Sequence, residues 1–240
     1  TQPNTLFPYT TLFRSPDIVR QMRAEALEMH NIKAERALLF GAKYATVGTN
    51  KQTLRSSGGI SWFVKQYAPS NITNFKTSTA TAYSGKTWLE AGEEFMDSLC
   101  ANIFEYGSDT KIALCGNGAL KGINRLVKYL GNFEFGPSTK EYGIQVVDWV
   151  TVHGTISFLP HPLLSMSPAY TNSMWTFDMQ NLVNRFIDKT YLKPDTDSLK
   201  KSSGRGVDAI AEEFLCEEGL ELHHPETFHI TFGIGQDNIL

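Results

Sequence analysis

Apolar residues recur at helical spacing through the first part of the chain and at strand spacing through much of the rest. From Asp17 to Phe40, Ile18, Met22, Ala26, Met29 and Ala37 fall near one stripe, and Arg20, Arg23, Glu28, Glu35 and Arg36 lie mostly off it. This predicts a long amphipathic helix of ~36 Å, ended by Gly41. Ala42 to Lys86 is rich in Thr, Ser, Asn and Gly, with the clusters "GGISWFV" and "NITNF". It reads as a long loop carrying one or two short strands or a hairpin.

A second helix is predicted over Thr87 to Tyr106, with Leu89, Gly92, Phe95, Met96, Leu99 and Ile103 on one face and Gly107 as its end. "TKIALCG" (Thr110 to Gly116) reads as a buried strand. "ALKGINRLVKYL" reads as a third helix, with Leu120, Ile123, Val127 and Leu130 inward and Gly131 as terminator. "YGIQVVDWV" and "GTISFLP" are predicted strands joined by the turn "TVHG". "MWTFDM" is another strand, "MQNLVNRFI" a short helical turn, and "LKPDTDSLKKSSGRG" an exposed loop. From Val207 the chain reads as strands broken at Gly219 and Pro225. The sum is α+β, with two or three helices and a mainly antiparallel sheet.

Composition narrows the function classes. The 240 residues are 41% hydrophobic and 20% charged, with a net charge of −3. That balance is globular and argues against a dense basic face for nucleic acid. Cys100, Cys115 and Cys216 are scattered, without a CxxC, and suggest neither a disulfide framework nor a zinc site. No apolar run approaches the length of a membrane span.

Four stretches offer candidate chemistry. "ATAYSGKT" (Ala80 to Thr87) ends like a phosphate-binding loop, but Ala80 stands where that loop needs glycine. Asp148 would be its metal-holding partner and is equally a strand-edge residue. "ALCGNGALKG" places Gly116, Gly118 and Gly122 between a strand and a helix, close to a dinucleotide fingerprint whose last spacing is one residue too long. A nucleotide- or dinucleotide-binding enzyme is therefore the alternative function. The preferred reading is a tight strand-to-helix turn, with Asn117 in an unusual backbone angle. "HHPETFH" gathers His223, His224, Glu226 and His229, yet Pro225 breaks any helical ligand face. His153 and His161 are isolated, Asp178 and Arg185 could pair across a turn, and "KKSSGRG" is a solvated basic loop. No catalytic, cofactor or metal residue is assigned.

The order of segments is more telling. "DIVRQMRAEALEMHNIKAERALLFG", "GGISWFV", "KIALCGNGALKGINRL", "YGIQVVDWVTVHGTISFLPHPLL", "MWTFDMQNLVNRF" and "EEGLELHHPETFHITFGI" together resemble the major capsid proteins of tailed bacteriophages. The likeness is to the group of phage SU-ten, which carries the Hong Kong 97 shell fold. Its matching positions include Trp149, Thr151, Gly154, His161, Pro162, Leu163, Asp178, Leu182, Arg185, Glu218, Gly219, Leu220, Glu221, Pro225 and His229. The resemblance implies a spine helix against antiparallel strands and an axial α/β subdomain. It divides the chain into 16–109 (spine helix, loop and second helix), 110–206 (axial core) and 207–240 (returning strands). It also implies a structural protein, not an enzyme, with another virion structural protein as the further alternative. Its subunits would form the hexamers and pentamers of an icosahedral head, in the host cytoplasm and then the virion. Scaffold, portal and maturation protease would be partners, packaged DNA would be held without specificity, and no membrane is involved.

The front of the chain departs from that pattern. "TLFPYTTLFRS" (Thr5 to Ser15) resembles neither the family's N-terminal arm nor its extended hairpin loop. Read as codons it resembles a common sequencing-library adapter. Residues 1–15 are therefore expected to be non-native, to make few contacts and to stand where the family's intersubunit reach should be.

Overall fold

Strand β4 (Thr110–Cys115) is the middle of the molecule, and its alternation explains the layers. Lys111, Ala113 and Cys115 are buried, and Ile112 and Leu114 are half-buried on the other side. Side chains alternate across a pleated strand, so both faces of this sheet must be covered. The computed structural model describes residues 16–47, 49, 51, 53–130, 139–141, 144–193 and 212–238. The expectations for residues 1–15, Gly131 and the "KKSSGRG" loop lie outside them.

In chain order the other elements are α1 (Pro16–Phe40), β1 (Tyr44–Val47), β2 (Thr53–Ser56), α2 (Ile60–Tyr67), β3 (Ile72–Asn74), α3 (Trp88–Ile103), α4 (Asn117–Leu130), β5 (Thr139–Glu141), β6 (Ile144–Val150), β7 (Thr155–Pro160), α5 (Pro162–Met166), β8 (Met174–Phe177), β9 (Leu182–Lys193), β10 (Glu213–Leu222) and β11 (His229–Phe232). A seven-stranded sheet runs β3-β11-β8-β4-β7-β6-β5. β3–β11 and β4–β7 are parallel pairs and the other four pairings are antiparallel. The molecule is thus α+β, with a mixed sheet in which antiparallel pairs predominate. Two further antiparallel ribbons, β1–β2 and β9–β10, stand apart from it.

One sheet face meets α3 and α4. Trp88, Ala91, Phe95, Met96, Leu99, Cys100 and Ile103 of α3 pack with Ala119, Ile123 and Leu126 of α4 onto Ala113, Cys115, Ile156, Phe158 and Met174. The apolar residues of α3 recur at three- and four-residue spacing, which aims them at one surface. The other face meets α2 and the last turn of α1. Leu39, Ile60, Val64 and Leu164 cover Trp175, Phe177, Phe228 and Ile230.

Three expectations fail. Within Ala42–Lys86 the hairpin is β1–β2 and "NITNF" carries β3, but "ISWFVKQY" forms helix α2 where only loop and short strands were expected; Gly59 stands at its start, and Ile60, Ser61 and Val64 are its buried side. Aromatic and β-branched residues favour strands only weakly, and burial against the sheet decides here. "MQNLVNRFI" is a helical turn only over Met179–Asn181, after which β9 runs for 12 residues. Gly219 does not break a strand: it pairs with Arg185 inside β10, whereas Pro225 opens the short helical turn that separates β10 from β11.

Helix α1 also differs from its predicted packing. Met22 and Met29 are 56% and 55% exposed, and Ala26 and Ala37 face solvent. The helix meets the body through Leu39 and Phe40 and lies along β10. Arg23 donates two hydrogen bonds of 2.6 Å to Glu212, and His30 rests near the Phe214 ring.

Candidate functional site

The glycine-rich turn at β4–α4 is filled by the protein's own backbone. A Cβ on Gly116 would sit 2.4 Å from the Thr171 carbonyl oxygen, and one on Gly122 would sit 2.4 Å from the Gly235 Cα. Gly116 N–H donates to Ser173 O, Asn117 N–H to Ser165 Oγ and Ala119 N–H to Thr171 O. A dinucleotide needs those first-turn donors for its pyrophosphate. Here they are spent inside the fold, so the glycines serve close packing. Lys51 and His224 are the described non-glycine residues at positive φ, so Asn117 does not adopt the unusual angle expected of it.

The phosphate-loop lookalike is closed in a different way. Thr87 N–H and Thr87 Oγ1 both donate to the Glu90 carboxylate at 2.8 Å. Trp88 N–H donates to Asp237 Oδ1 at 2.9 Å. Two carboxylates thus occupy the N-terminus of α3, where a phosphate would have to sit. The hydrogen bond from Thr87 N–H, then that from its hydroxyl, holds the Glu90 carboxyl below its ordinary range. Asp148, the imagined metal holder, accepts from Ser157 Oγ at 2.7 Å across β6–β7.

A buried polar node was not anticipated. Lys111, Asp178 and His229 are all at least 95% buried. Lys111 neighbours Asp178 across the β4–β8 ladder, and His229 lies opposite Thr176 across β8–β11. These residues therefore share the sheet face beneath the end of α3. Lys111 Nζ donates to the Tyr106 carbonyl at 2.6 Å, in the turn that follows α3. Asp178 accepts from Ser108 N–H at 3.1 Å and Gln180 N–H at 3.2 Å. Burial would push the Asp178 carboxyl up, but these hydrogen bonds and Lys111 hold it below its ordinary value. Burial, then the neighbouring Lys111 charge, pushes the His229 imidazole down to about 4. The node is a buried cation–anion arrangement beside a neutral ring. Its hydrogen bonds tie β4 and the residue after β8 to the turn that follows α3. One sequence signal pointed to it: Lys111 has the same strand parity as Ala113 and Cys115.

The other candidate pairs separate. Asp178 does not meet Arg185, whose guanidinium bonds the Glu221 carboxylate instead. His223 meets Glu221 at 3.0 Å and His224 meets Glu226 at 3.5 Å, while His229 is buried away from them. Among the described residues no group of three or more His, Cys, Asp or Glu could hold a metal ion. His161 is not isolated: its Nε2 meets Glu35 Oε1 at 3.0 Å and ties α1 to the start of α5. Cys100 and Cys115 are free and buried, and burial pushes the Cys100 thiol up to about 12.

What remains is surface. The outer side of α1 exposes Met22, Met29 and Ile32. The β9–β10 ribbon exposes Phe186, Ile187 and Tyr191, with Ile187 83% accessible. A long helix and a two-stranded ribbon are each marginal when half uncovered. Apolar residues on both mark a contact surface rather than a reaction site.

The family described as SU10 major capsid protein matches residues 15–235 of the chain. The chain belongs to that family. It is also 21% identical over 227 residues to the major capsid protein of Pseudomonas phage PaMx41, covering 90% of this chain and 53% of that protein. The chain spans about half the length of that curated relative.

Seen as a member of the SU10 major capsid protein family, several residues named above have packing roles. Trp149 is buried with its ring stacked near Phe158. A Cβ on Gly154 would strike Asp109 O and the Phe104 ring, both at 2.5 Å. Thr151 Oγ1 closes the β6–β7 turn on Gly154 O at 2.7 Å. Glu218 and Glu221 brace the β9–β10 ribbon through Asn184 and Arg185.

Proposed function

We propose that this chain is the body of a shell-forming major capsid subunit of a tailed double-stranded DNA phage, with the Hong Kong 97 type of fold. Its role is structural, not enzymatic. The observation that carries this reading is family membership over residues 15–235. The layout supports it: a 25-residue helix lies beside a long ribbon, and both keep apolar outer sides. In this reading α1 is the spine, residues 16–109 supply the peripheral part, 110–206 the axial core, and 207–240 the returning strands.

Copies would join edge to edge into hexamers and pentamers and close an icosahedral head. Scaffold, portal and protease would act on the assembling shell in the host cytoplasm, before the virion is complete. Packaged DNA would touch the inner face without sequence reading, in keeping with a chain of net charge −3. Negative-stain microscopy of the full-length protein, expressed alone, tests this. Closed shells or six-membered rings are expected, and tubes or stable monomers would count against the reading.

A further inference from the structure

Beyond Phe104, the turn that follows α3 has no buried apolar side chain. Glu105, Tyr106, Gly107 and Asp109 are exposed, and Ser108 is half-buried. The turn is tied to the buried node by polar bonds: Lys111 Nζ donates to Tyr106 O, and Ser108 N–H donates to Asp178 Oδ2. Gly107 lies over the node at φ +96°, where a Cβ would sit 3.1 Å from Lys111 Nζ and 3.3 Å from Asp178 Oδ2. The body of α3 is held differently, by Phe95, Leu99, Cys100 and Ile103 in the apolar layer. The turn also carries the tip between β6 and β7. Thr155 N–H donates to Asp109 O at 2.8 Å, and Gly154 is packed against the same carbonyl. That tip exposes Val150 and Val152.

His229 sits in the node with one nitrogen uncommitted. Its ring bonds the Glu226 carbonyl, and Nε2 is buried with no partner. The bond is therefore made by Nδ1–H, and Nε2 carries the lone pair of a neutral ring. Thr176 Oγ1, across the β8–β11 ladder, is also buried and unpartnered. A proton on Nε2 would put a second cation beside Lys111, the charge that acts on the ring. Asp178 already faces Lys111 and accepts from Ser108 N–H and Gln180 N–H. The other ionisable groups of these segments give no relief. Glu226 pairs with His224 at the surface, and Glu105 and Asp109 are exposed. Two buried cations against one carboxylate are costly, and the weakest-held segment over them is the turn.

We infer that the Lys111–Asp178–His229 node is an acid-released latch: protonation of His229 at Nε2 frees turn 104–109 from the sheet while the body of α3 stays packed, and so loosens the β6–β7 tip. The latch belongs to the folded chain and does not rest on the shell-subunit reading. The sign follows from the ring. The closed node refuses the proton and the open one accepts it, so opening grows as pH falls from about 6.5 towards about 4.

Hydrogen-exchange mass spectrometry of the full-length protein tests this, with rates corrected for the intrinsic effect of pH. Exchange in residues 104–110 should rise about 30-fold between pH 7.5 and pH 5.0, while residues 95–103 stay flat. His229→Asn keeps an N–H for the Glu226 carbonyl and takes no proton, so its turn should not respond. His224→Asn removes the exposed neighbouring imidazole, at a left-handed position that Asn tolerates, and should respond like wild type. A wild-type turn that is flat over this range overturns the inference. So does a turn that opens only together with residues 95–103, which would be general unfolding. A His229→Asn turn that responds like wild type, or a His224→Asn turn that does not, also overturns it. The two wild-type segments are compared without any variant, and His229→Gln replaces the Asn form if that one folds poorly.

Discussion

His229 is the residue whose chemistry is most strongly set by its surroundings. Its imidazole is 5% exposed, and burial followed by the Lys111 charge takes its pKa from 6.5 to about 4. Between those values the unfolded chain binds a proton that the native state refuses. Stability therefore falls as pH drops from about 6.5 towards about 4, by about 3 kcal/mol across the window. Asp178 acts in the same direction only below its ordinary carboxyl range, because its native value is depressed. Urea unfolding at pH 6.5 and pH 4.5 should show the loss in wild type and a flatter response in His229→Asn. An unchanged slope in the variant would remove His229 as the cause. Gly122 gives a second check at this scale. A Cβ there meets Gly235 Cα at 2.4 Å, and both partners are backbone, so neither can rotate away. Gly122→Ala should lose about 1–3 kcal/mol, read from the denaturation midpoint.

Among the elements, α3 is tied down best and was easiest to foresee. Its predicted face of Phe95, Met96, Leu99 and Ile103 is buried, and Thr87 and Glu90 close its N-terminus. Glu90→Ala should lower the denaturation midpoint by opening the capping box, and remove the acid-range contribution of that depressed carboxyl. β4 and α4 were equally legible, since each has one buried side and a glycine at its border. α1 was legible as a helix but not in its packing. A stripe of Met22, Ala26 and Met29 implies burial, yet the side against the body runs through His30, Ala34 and Leu38. In the proposed shell that stripe faces a neighbouring copy, and a single sequence does not distinguish such a stripe from core. β9 was hidden for the converse reason: Asn184 to Tyr191 are exposed on both faces, so no alternation of apolar and polar positions marks a strand. Of the buried Lys111–Asp178–His229 node only the parity of Lys111 was legible, because its partners lie far along the chain, just after β8 and in β11.

At the scale of the whole molecule, the notable feature is how much apolar surface the folded chain leaves open on its projecting parts. Met22 and Met29 on α1 and Phe186, Ile187 and Tyr191 on β9 lie on elements outside the seven-stranded sheet. In the proposed shell these surfaces are covered by neighbouring copies. Met29→Asp should then leave thermal stability of the isolated chain within about 0.5 kcal/mol of wild type while suppressing oligomers in sedimentation. Loss of stability without loss of association would place Met29 in the fold instead. The glycine-rich turns that suggested nucleotide chemistry are occupied by Thr171, Ser165, Glu90 and Asp237. The most direct measurement is a cryo-electron microscopy reconstruction of the particles formed by the full-length protein. It should show closed shells in which α1 and the β9–β10 ribbon are buried between subunits. Particles with those surfaces facing solvent, or protein that stays monomeric, would contradict the account.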